Sequence, residues 1–156
     1  MLDRVDFPLT TSQISEFILD KGYTTYFRLQ SALAELTDSG LLKIELTHNR
    51  TLYNLTEEGA ATINYFRNKI SPEIRQEIDN FINEKKYDLK EEVSVKSDYY
   101  LNTNHEYEVK CQILENGSHL IDMTLTVPTQ TEAEAIVNNW NLKNQEIYAS
   151  LLSQLL

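Results

Sequence analysis

The segment at residues 53–60 reads YNLTEEGA and runs from an extended pattern directly into the start of a helix. Thr56 is suited to cap that helix through its hydroxyl. Glu57 and Glu58 then lie in the first turn, where the helix dipole favours negative charge. Because no loop residues separate the two patterns, the strand must end where the helix begins. The chain is therefore limited to folds in which a strand delivers the backbone directly onto a helix.

Two short helical patterns precede this junction. The first has an apolar face and ends at Gly22, and the second begins after Thr24 or Thr25 and ends at Gly40. The second pattern carries four apolar side chains at helical spacing, Tyr26, Leu29, Leu33 and Leu36. Two short helices joined by a four-residue turn are typical of a helix-turn-helix.

A hairpin is predicted between the second helix and the junction. Residues 41–47 and 51–56 are apolar and rich in residues that favour strands, and the polar residues 48–50 separate them. The chain then enters a helix whose inward side chains are predicted to be Ile63, Phe66 and Ile70.

This order of helix, turn, helix, hairpin and the pattern Y-x-L-T-x-x-G resembles the winged helix-turn-helix domain of bacterial regulators of the MarR and PadR type. The resemblance covers roughly residues 1–70. The whole chain also resembles a family of winged-helix proteins from Gram-positive bacteria, for which the resemblance implies a fold but no activity. Those domains have a full helix ahead of the helix-turn-helix, and here only MLDRV corresponds to it. Either the start of the natural chain is missing or another segment covers that part of the core.

Residues 71–90 are predicted to connect two domains, a winged helix-turn-helix at 1–70 and a second domain at 91–156. Ser71 is suited to cap a helix and Pro72 to occupy its first position. The charged segment at 83–92 is interpreted as a short link after that helix.

The second domain is predicted to be a three-stranded antiparallel meander covered by a long C-terminal helix, which makes the fold class α+β. Residues 93–101, 105–113 and 119–127 alternate between apolar and polar side chains. The helix is expected to begin at Thr131, in a capping box with Glu134. Its leucine-rich end either packs against the winged helix or forms a homodimer seam.

The turns of the meander are predicted from the faces of its strands. A two-residue loop at 116–117 would place apolar residues opposite polar ones, so a three-residue loop at 115–117 with a bulge is expected. That loop pairs Cys111 with Ile121 and Val109 with Met123. By the same reasoning a three-residue turn at 102–104 pairs Tyr99 with Tyr107.

Charge and composition restrict the partners. The net charge is −10, and residues 1–70 hold seven basic against nine acidic residues, whereas residues 71–156 hold seven against fifteen. This distribution lacks the basic footprint usual for DNA binding. The chain has neither an apolar run of membrane-span length nor a secretory signal, so a cytoplasmic location without membrane contact is expected. Its single cysteine, Cys111, is predicted to be a buried apolar residue.

If the resemblance extends to function, the second helix enters the major groove of duplex DNA and the hairpin tip lies over the backbone or minor groove. Thr24 and Thr25 then face phosphates, and Arg28 and Gln30 have the donors suited to base edges. The candidate DNA-binding residues are Thr24, Thr25, Phe27, Arg28, Gln30, Ser31, His48 and Arg50. As an alternative, these are ordinary solvated residues of a helix and a turn.

Catalysis is not expected. The three histidines, His48, His105 and His119, are widely separated, and no spacing typical of a metal site or glycine-rich phosphate loop occurs. Neither a metal nor a cofactor is therefore predicted.

The sequence leaves three functions open. The first is a transcriptional regulator that binds duplex DNA as a homodimer, with residues 91–156 serving dimerisation and binding a small-molecule effector between sheet and helix. The second is a winged-helix protein interaction module that does not bind DNA. The third is a module that binds small molecules alone. Fold resemblance does not decide among them.

Overall fold

A computed structural model describes residues 1–47, 50–115 and 118–156 of the chain. The chain divides into two compact units, Met1–Val93 and Ser94–Leu156. Each unit contains one three-stranded antiparallel sheet together with helices, so the predicted α+β class is confirmed.

The first unit begins with a 3-10 turn at Leu2–Arg4 and contains three short strands and four α-helices. The strands are β1 (Leu9–Thr10), β2 (Leu42–Leu46) and β3 (Thr51–Leu55). The helices are α1 (Thr11–Asp20), α2 (Tyr26–Asp38), α3 (Glu57–Phe66) and α4 (Pro72–Ser94), with a second 3-10 turn at Arg67–Lys69.

The sheet of this unit has the order β1-β3-β2. The predicted hairpin is confirmed, with Ile44 opposite Tyr53 and Leu42 opposite Leu55. Strand β1 was not predicted. It is only two residues long, and it pairs Leu9 with Tyr53 on the free side of β3. A strand this short has no alternation from which it could be recognised in the sequence.

The core of the first unit lies between the sheet and the first two helices. Its buried apolar side chains are Leu9, Ile14, Leu29, Leu33, Leu42 and Tyr53. The helical spacing of α2 predicted Leu29 and Leu33 correctly. Tyr26 and Leu36 were also expected to be inward, but they are 53% and 39% exposed because they lie at the two ends of the helix.

The junction between β3 and α3 has the structure that its sequence predicts. The Thr56 hydroxyl accepts a hydrogen bond from the Gly59 amide at 3.0 Å and lies 2.8 Å from the Gly40 carbonyl oxygen. Gly59 packs directly on the backbone of Leu41, where an added Cβ would lie 2.2 Å from the carbonyl oxygen. The glycine therefore lets α3 begin in contact with the end of the α2–β2 connection.

Helix α4 is longer than predicted. Ser71 caps it as expected, since its hydroxyl accepts a hydrogen bond from the Ile74 amide at 3.3 Å. The segment at 83–92, interpreted above as a link, is helical. Leu89 and Val93 continue the buried stripe of Ile82 at helical spacing, and no glycine or proline interrupts them. Burial of these apolar side chains stabilises the helix even though most of the segment is charged or polar.

Helix α4 packs along α1 and covers its outer side. The rings of Phe17 and Phe81 lie 5.0 Å apart, and Lys85 forms an ion pair with Glu16. The Tyr23 hydroxyl donates a hydrogen bond of 2.5 Å to Glu77. This hydrogen bond raises the pKa of Tyr23 to about 12 and lowers the pKa of Glu77.

The second unit is a meander followed by one helix, as predicted. Its elements are β4 (Val95–Leu101), β5 (Tyr107–Glu115), β6 (Ser118–Val127) and α5 (Gln130–Leu155), and the strand order is β4-β5-β6. The sheet and α5 enclose a core of five buried residues, Val109, Cys111, Ala133, Val137 and Trp140.

The predicted register of the meander was wrong by two residues, although the assignment of faces was right. Cys111 lies opposite Met123 rather than Ile121, and Val109 lies opposite Leu125 rather than Met123. The strands stay paired out to Glu115 and Ser118, and Leu120 is an extra residue at a bulge. A bulge within β6, rather than a three-residue loop, thus places the apolar residues of β5 and β6 opposite one another. The loop tip at 116–117 lies outside the described residues.

The first turn of the meander also differs from its prediction, since Tyr99 lies opposite Val109 rather than Tyr107. The Asn102 amide bonds to the Glu106 carbonyl oxygen at 2.8 Å, and His105 adopts a positive φ of 62° between them. The connection is therefore longer than the predicted three residues.

The cap of α5 is Thr129 rather than Thr131. Its hydroxyl accepts from the Glu132 amide at 3.3 Å, and the Glu132 side chain accepts from the Thr129 amide at 3.1 Å. Both threonines have a glutamate three residues later, so the capping pattern alone does not distinguish them.

Candidate nucleic-acid interface

The N-terminal end of α2 presents polar groups to solvent. Thr25 is the N-cap residue and has an extended backbone, but its hydroxyl makes no capping hydrogen bond within the described residues. Thr25 is exposed and Thr24 is half-buried. The first-turn amides of α2 and the Thr25 hydroxyl can therefore donate to an anion.

The outward face of α2 contains the side chains that helix periodicity places there. Phe27 is 82% exposed, and Arg28 and Ser31 are exposed. Gln30 lies on the flank and is half-buried, and its amide nitrogen has no hydrogen-bond partner among the described residues. Phe27, Arg28 and Ser31 together provide one large aromatic ring, one cation and one hydroxyl, beside the 53% exposed ring of Tyr26.

Arg50 lies in the turn of the hairpin and ties that turn to α4. Its guanidinium donates a hydrogen bond of 2.6 Å to the Glu92 carbonyl oxygen in α4, and its amide bonds to the Thr47 hydroxyl at 3.1 Å. Arg50 is half-buried as a result. His48, the other hairpin residue predicted to contact DNA, lies outside the described residues. Of the two hairpin residues predicted to contact DNA, the structure therefore describes only Arg50.

A polar cleft of about 500 Å³ lies beside Arg50, at the start of α1. The residues lining it are Thr10, Thr11, Ser12, Thr47, Arg50, Thr51 and Glu92. These residues bring five hydroxyl groups, one guanidinium and one carboxylate to the cleft. The cleft therefore offers hydrogen-bond donors with little net charge.

Gln13 links two residues that line this cleft, Thr10 and Glu92, and was not recognised from the sequence. Its side-chain oxygen accepts from the Thr10 amide at 2.9 Å, and its nitrogen donates to the Leu89 carbonyl oxygen at 3.1 Å and to the Glu92 carboxylate at 2.7 Å. Thr10 and Gln13 form a capping box. The threonine followed three residues later by glutamine was the available sequence signal.

An apolar cavity of about 370 Å³ lies behind α2. Leu29, Leu33 and Leu36 line one side of it, and Ile63 and Phe66 of α3 line another. Thr62 and Asp3 contribute polar groups, and Asp3 pairs with Arg67 at 2.5 Å. The sequence did not predict this cavity, because it depends on gaps between elements that are distant in the chain.

Charge in the first unit is dominated by acidic residues. Residues 1–93 contain eleven basic and sixteen acidic side chains, a net charge of −5. Arg4, Lys21 and Arg67 are used in ion pairs with Asp79, Glu77 and Asp3. Arg28 makes no ion pair within the described residues, so its charge is available at the α2 surface.

The groups considered for chemistry lie apart. Within residues 1–47, 50–115 and 118–156, no cluster of three His, Cys, Asp or Glu side chains is arranged to hold a metal ion. Cys111 is fully buried, and burial raises the pKa of its thiol to about 11. Across the described part of the chain, no helix has the length and apolarity needed to span a bilayer.

These features define a two-unit α+β protein whose first unit exposes one helix beside a hairpin. The chain belongs to the family described as domain of unknown function DUF4364, which it matches over residues 1–155. No curated protein matches the sequence, and no solved structure matches it.

Proposed function

We propose that the first unit is a winged helix-turn-helix that binds duplex DNA, and that the chain is a transcriptional regulator acting as a homodimer in the cytoplasm. Support comes chiefly from the topology of the first sheet. The order is strand, helix, helix, hairpin, and β1 pairs with β3 rather than β2. In a winged helix the second helix of the pair is the reading helix and the hairpin is the wing, so α2 takes the first role and β2–β3 the second.

Each candidate residue has a role in this arrangement. Thr24 and Thr25 bind a phosphate together with the α2 amides. Arg28 and Gln30 donate to base edges, while Phe27 and Ser31 contact the groove wall. Arg50 positions the wing through its hydrogen bond to Glu92, and His48 extends the wing toward the DNA backbone. Thr11, Ser12 and Thr51, which line the polar cleft, provide further phosphate donors.

Regulation by a small molecule belongs to the same proposal. The space between the second sheet and α5 was the expected site, but Trp140, Val109 and Cys111 are fully buried in it. The apolar cavity behind α2 is a better fit to an effector because its volume is in the range of small-molecule sites. An apolar ligand in that cavity would contact the inner face of the reading helix.

Retention of sheared genomic DNA by the purified protein, measured at two salt concentrations and followed by sequencing, tests the proposal. We expect a recurring, roughly palindromic site whose affinity falls with salt at a slope near −0.9 per phosphate neutralised. Arg28→Ala together with Arg50→Ala should abolish retention. The matched control is Lys86→Ala together with Lys143→Ala, which removes the same charge from exposed positions on α4 and α5. Equal losses in both double variants, or no retained DNA, would rule out DNA reading by α2.

The exposure of Phe27 and the net charge of −5 favour a second candidate function, a winged helix that binds a protein partner. An apolar contact through Phe27 should respond little to salt. Phe27→Ser would then abolish partner binding, whereas the Arg28 and Arg50 double variant would leave it unchanged.

A further inference from the structure

Strand β6 is one edge of the second sheet, and its regular part after the bulge at Leu120 has little protection against pairing. Among the described residues it pairs with β5 alone, so its other side presents a row of unpaired backbone groups. Asp122 is the only Asp, Glu, Lys or Arg in its ten residues, and no proline lies within it. Natural edge strands are usually short, charged or interrupted, because a long plain edge pairs with other strands.

The inner face of β6 is also incompletely covered. Helix α5 lies mainly over β4 and β5. Leu125 points to the same face as the fully buried Val109, yet it is 39% exposed, and Ile121 and Met123 are only half-buried. Apolar side chains beside an open edge are typical of a surface that is buried on association.

We propose that β6 pairs antiparallel with β6 of a second copy of this chain, extending two three-stranded sheets into one six-stranded sheet. The proposal rests on the homodimer in the proposed function but not on DNA binding. A second copy is the occupant because β6 can pair with itself so that apolar side chains meet apolar ones and the two Asp122 carboxylates stay apart.

The register of this pairing follows from the bulge and from Asp122. Leu120 is the bulge residue, so the regular part of β6 is Ile121–Val127 and its centre is Thr124. A two-fold axis at Thr124 places Ile121 opposite Val127 and Met123 opposite Leu125 on the apolar face. Asp122 then lies opposite Thr126 on the polar face. An axis at Asp122 would bring two carboxylates together, and a shift by one residue would exchange the faces.

Strand β4, the other edge, is less suited to the same pairing. It is seven residues long and contains Lys96 and Asp98. The leucine-rich end of α5 is the competing surface for a homodimer, since Leu155 is 79% exposed.

Disulfide trapping in the full chain tests the register. At an axis on Thr124 the two Cα atoms of an opposed pair are about 4.5–5.5 Å apart, within reach of a disulfide. Thr124→Cys should therefore form a covalent dimer under mild oxidation. Thr126→Cys is the matched control, because its two copies would be offset by four residues, roughly 13 Å. Cys111 is fully buried, so the engineered thiol is the accessible one.

Sedimentation of the wild type and two lysine variants completes the test. We expect a wild-type dimer that Leu125→Lys dissociates and Leu155→Lys preserves, with circular dichroism confirming that both variants are folded. A monomeric wild type would overturn the inference. So would equal trapping at 124 and 126, or a dimer dissociated by Leu155→Lys alone. Since none of these measurements uses DNA, failure of the dimer and failure of DNA binding are distinguishable.

Discussion

Gly59 is the residue at which the smallest change should have a large effect. A Cβ at this position would lie 2.2 Å from the Leu41 carbonyl oxygen and 2.7 Å from a methyl carbon of Leu55. We expect Gly59→Ala to lower the free energy of unfolding by about 1–3 kcal/mol, because α3 or the 40–41 backbone must move. Urea denaturation measures this loss.

The control for that prediction is Gly22→Asn. Gly22 has a φ of +67° with open space around it, a conformation that asparagine tolerates. We expect a smaller loss than at Gly59. Gly59 itself has no positive φ, so equal losses in the two variants would contradict a special requirement set by the contact with Leu41.

Cys111 should make stability depend on pH in the alkaline range. Burial raises the pKa of its thiol from the ordinary 9.0 to about 11. A group whose pKa is higher in the folded state stabilises the fold fully below pH 9, and this contribution is lost as the pH rises toward 11. The amount is on the order of 2 kcal/mol.

Urea unfolding of the wild type and of Cys111→Ala, repeated from pH 8 to pH 11, measures this contribution. The alanine variant is less stable at pH 8 through lost packing, and we expect the difference between the two proteins to shrink with rising pH. A constant difference would contradict a raised thiol pKa.

For single residues, the sequence predicts those roles that depend only on residues nearby in the chain. Thr56 was recognised as the cap of α3, because its hydroxyl bonds to the amide of Gly59 only three residues later. The role of Gly59 depends on Leu41, eighteen positions earlier in the chain, and no local pattern indicates it. The half-burial of Arg50 likewise depends on Glu92, in a helix that begins only at Pro72.

Among the elements, α1 and α4 are joined by Gln13. Its side chain is 2% exposed and bonds to the Thr10 amide, the Leu89 carbonyl and the Glu92 carboxylate. We expect Gln13→Ala to lower the free energy of unfolding by about 2–3 kcal/mol, since buried backbone groups lose their partner. Thermal and urea denaturation both measure this change.

Gln76→Ala is the matched control for Gln13. Gln76 is exposed on α4 and bonds only to the Asn80 side chain within the described residues. We expect a change of no more than about 0.5 kcal/mol. A similar loss in both variants would contradict a special role for the buried amide.

Element types were predicted better than element pairings. Alternation fixed the faces of β4, β5 and β6, because a side-chain period of two is visible in the sequence. It did not fix their register, since a shift of two residues keeps every face and changes every partner. The bulge at Leu120 decides the register between β5 and β6, and nothing in the local composition distinguishes Leu120 from its neighbours.

For the whole molecule, the two units have separate cores, one around Leu9 and Tyr53 and one around Val109 and Trp140. We therefore expect residues 1–93 to fold when produced alone. An amide correlation spectrum of that fragment should reproduce the dispersed peaks of residues 1–80 in the full chain. A collapsed spectrum would show that the first unit needs the second.

The molecule's function could be predicted less well than its fold. The candidate residues on α2 were placed on the outward face by periodicity, and Phe27, Arg28 and Ser31 are exposed. Neither charge nor motif indicates what binds there, because the first unit is acidic and the basic set is small. The apolar cavity and the β6 edge became recognisable only when distant segments were brought together.

The close approach of Gly59 to Leu41 also bears on how this chain can evolve. Every single substitution at position 59 adds at least a Cβ, so each meets the same carbonyl oxygen. A pool of random variants selected for folding should therefore be depleted of all nineteen alternatives at this site. Lineages that descend from this fold can escape the constraint only by changing the 40–41 backbone at the same time.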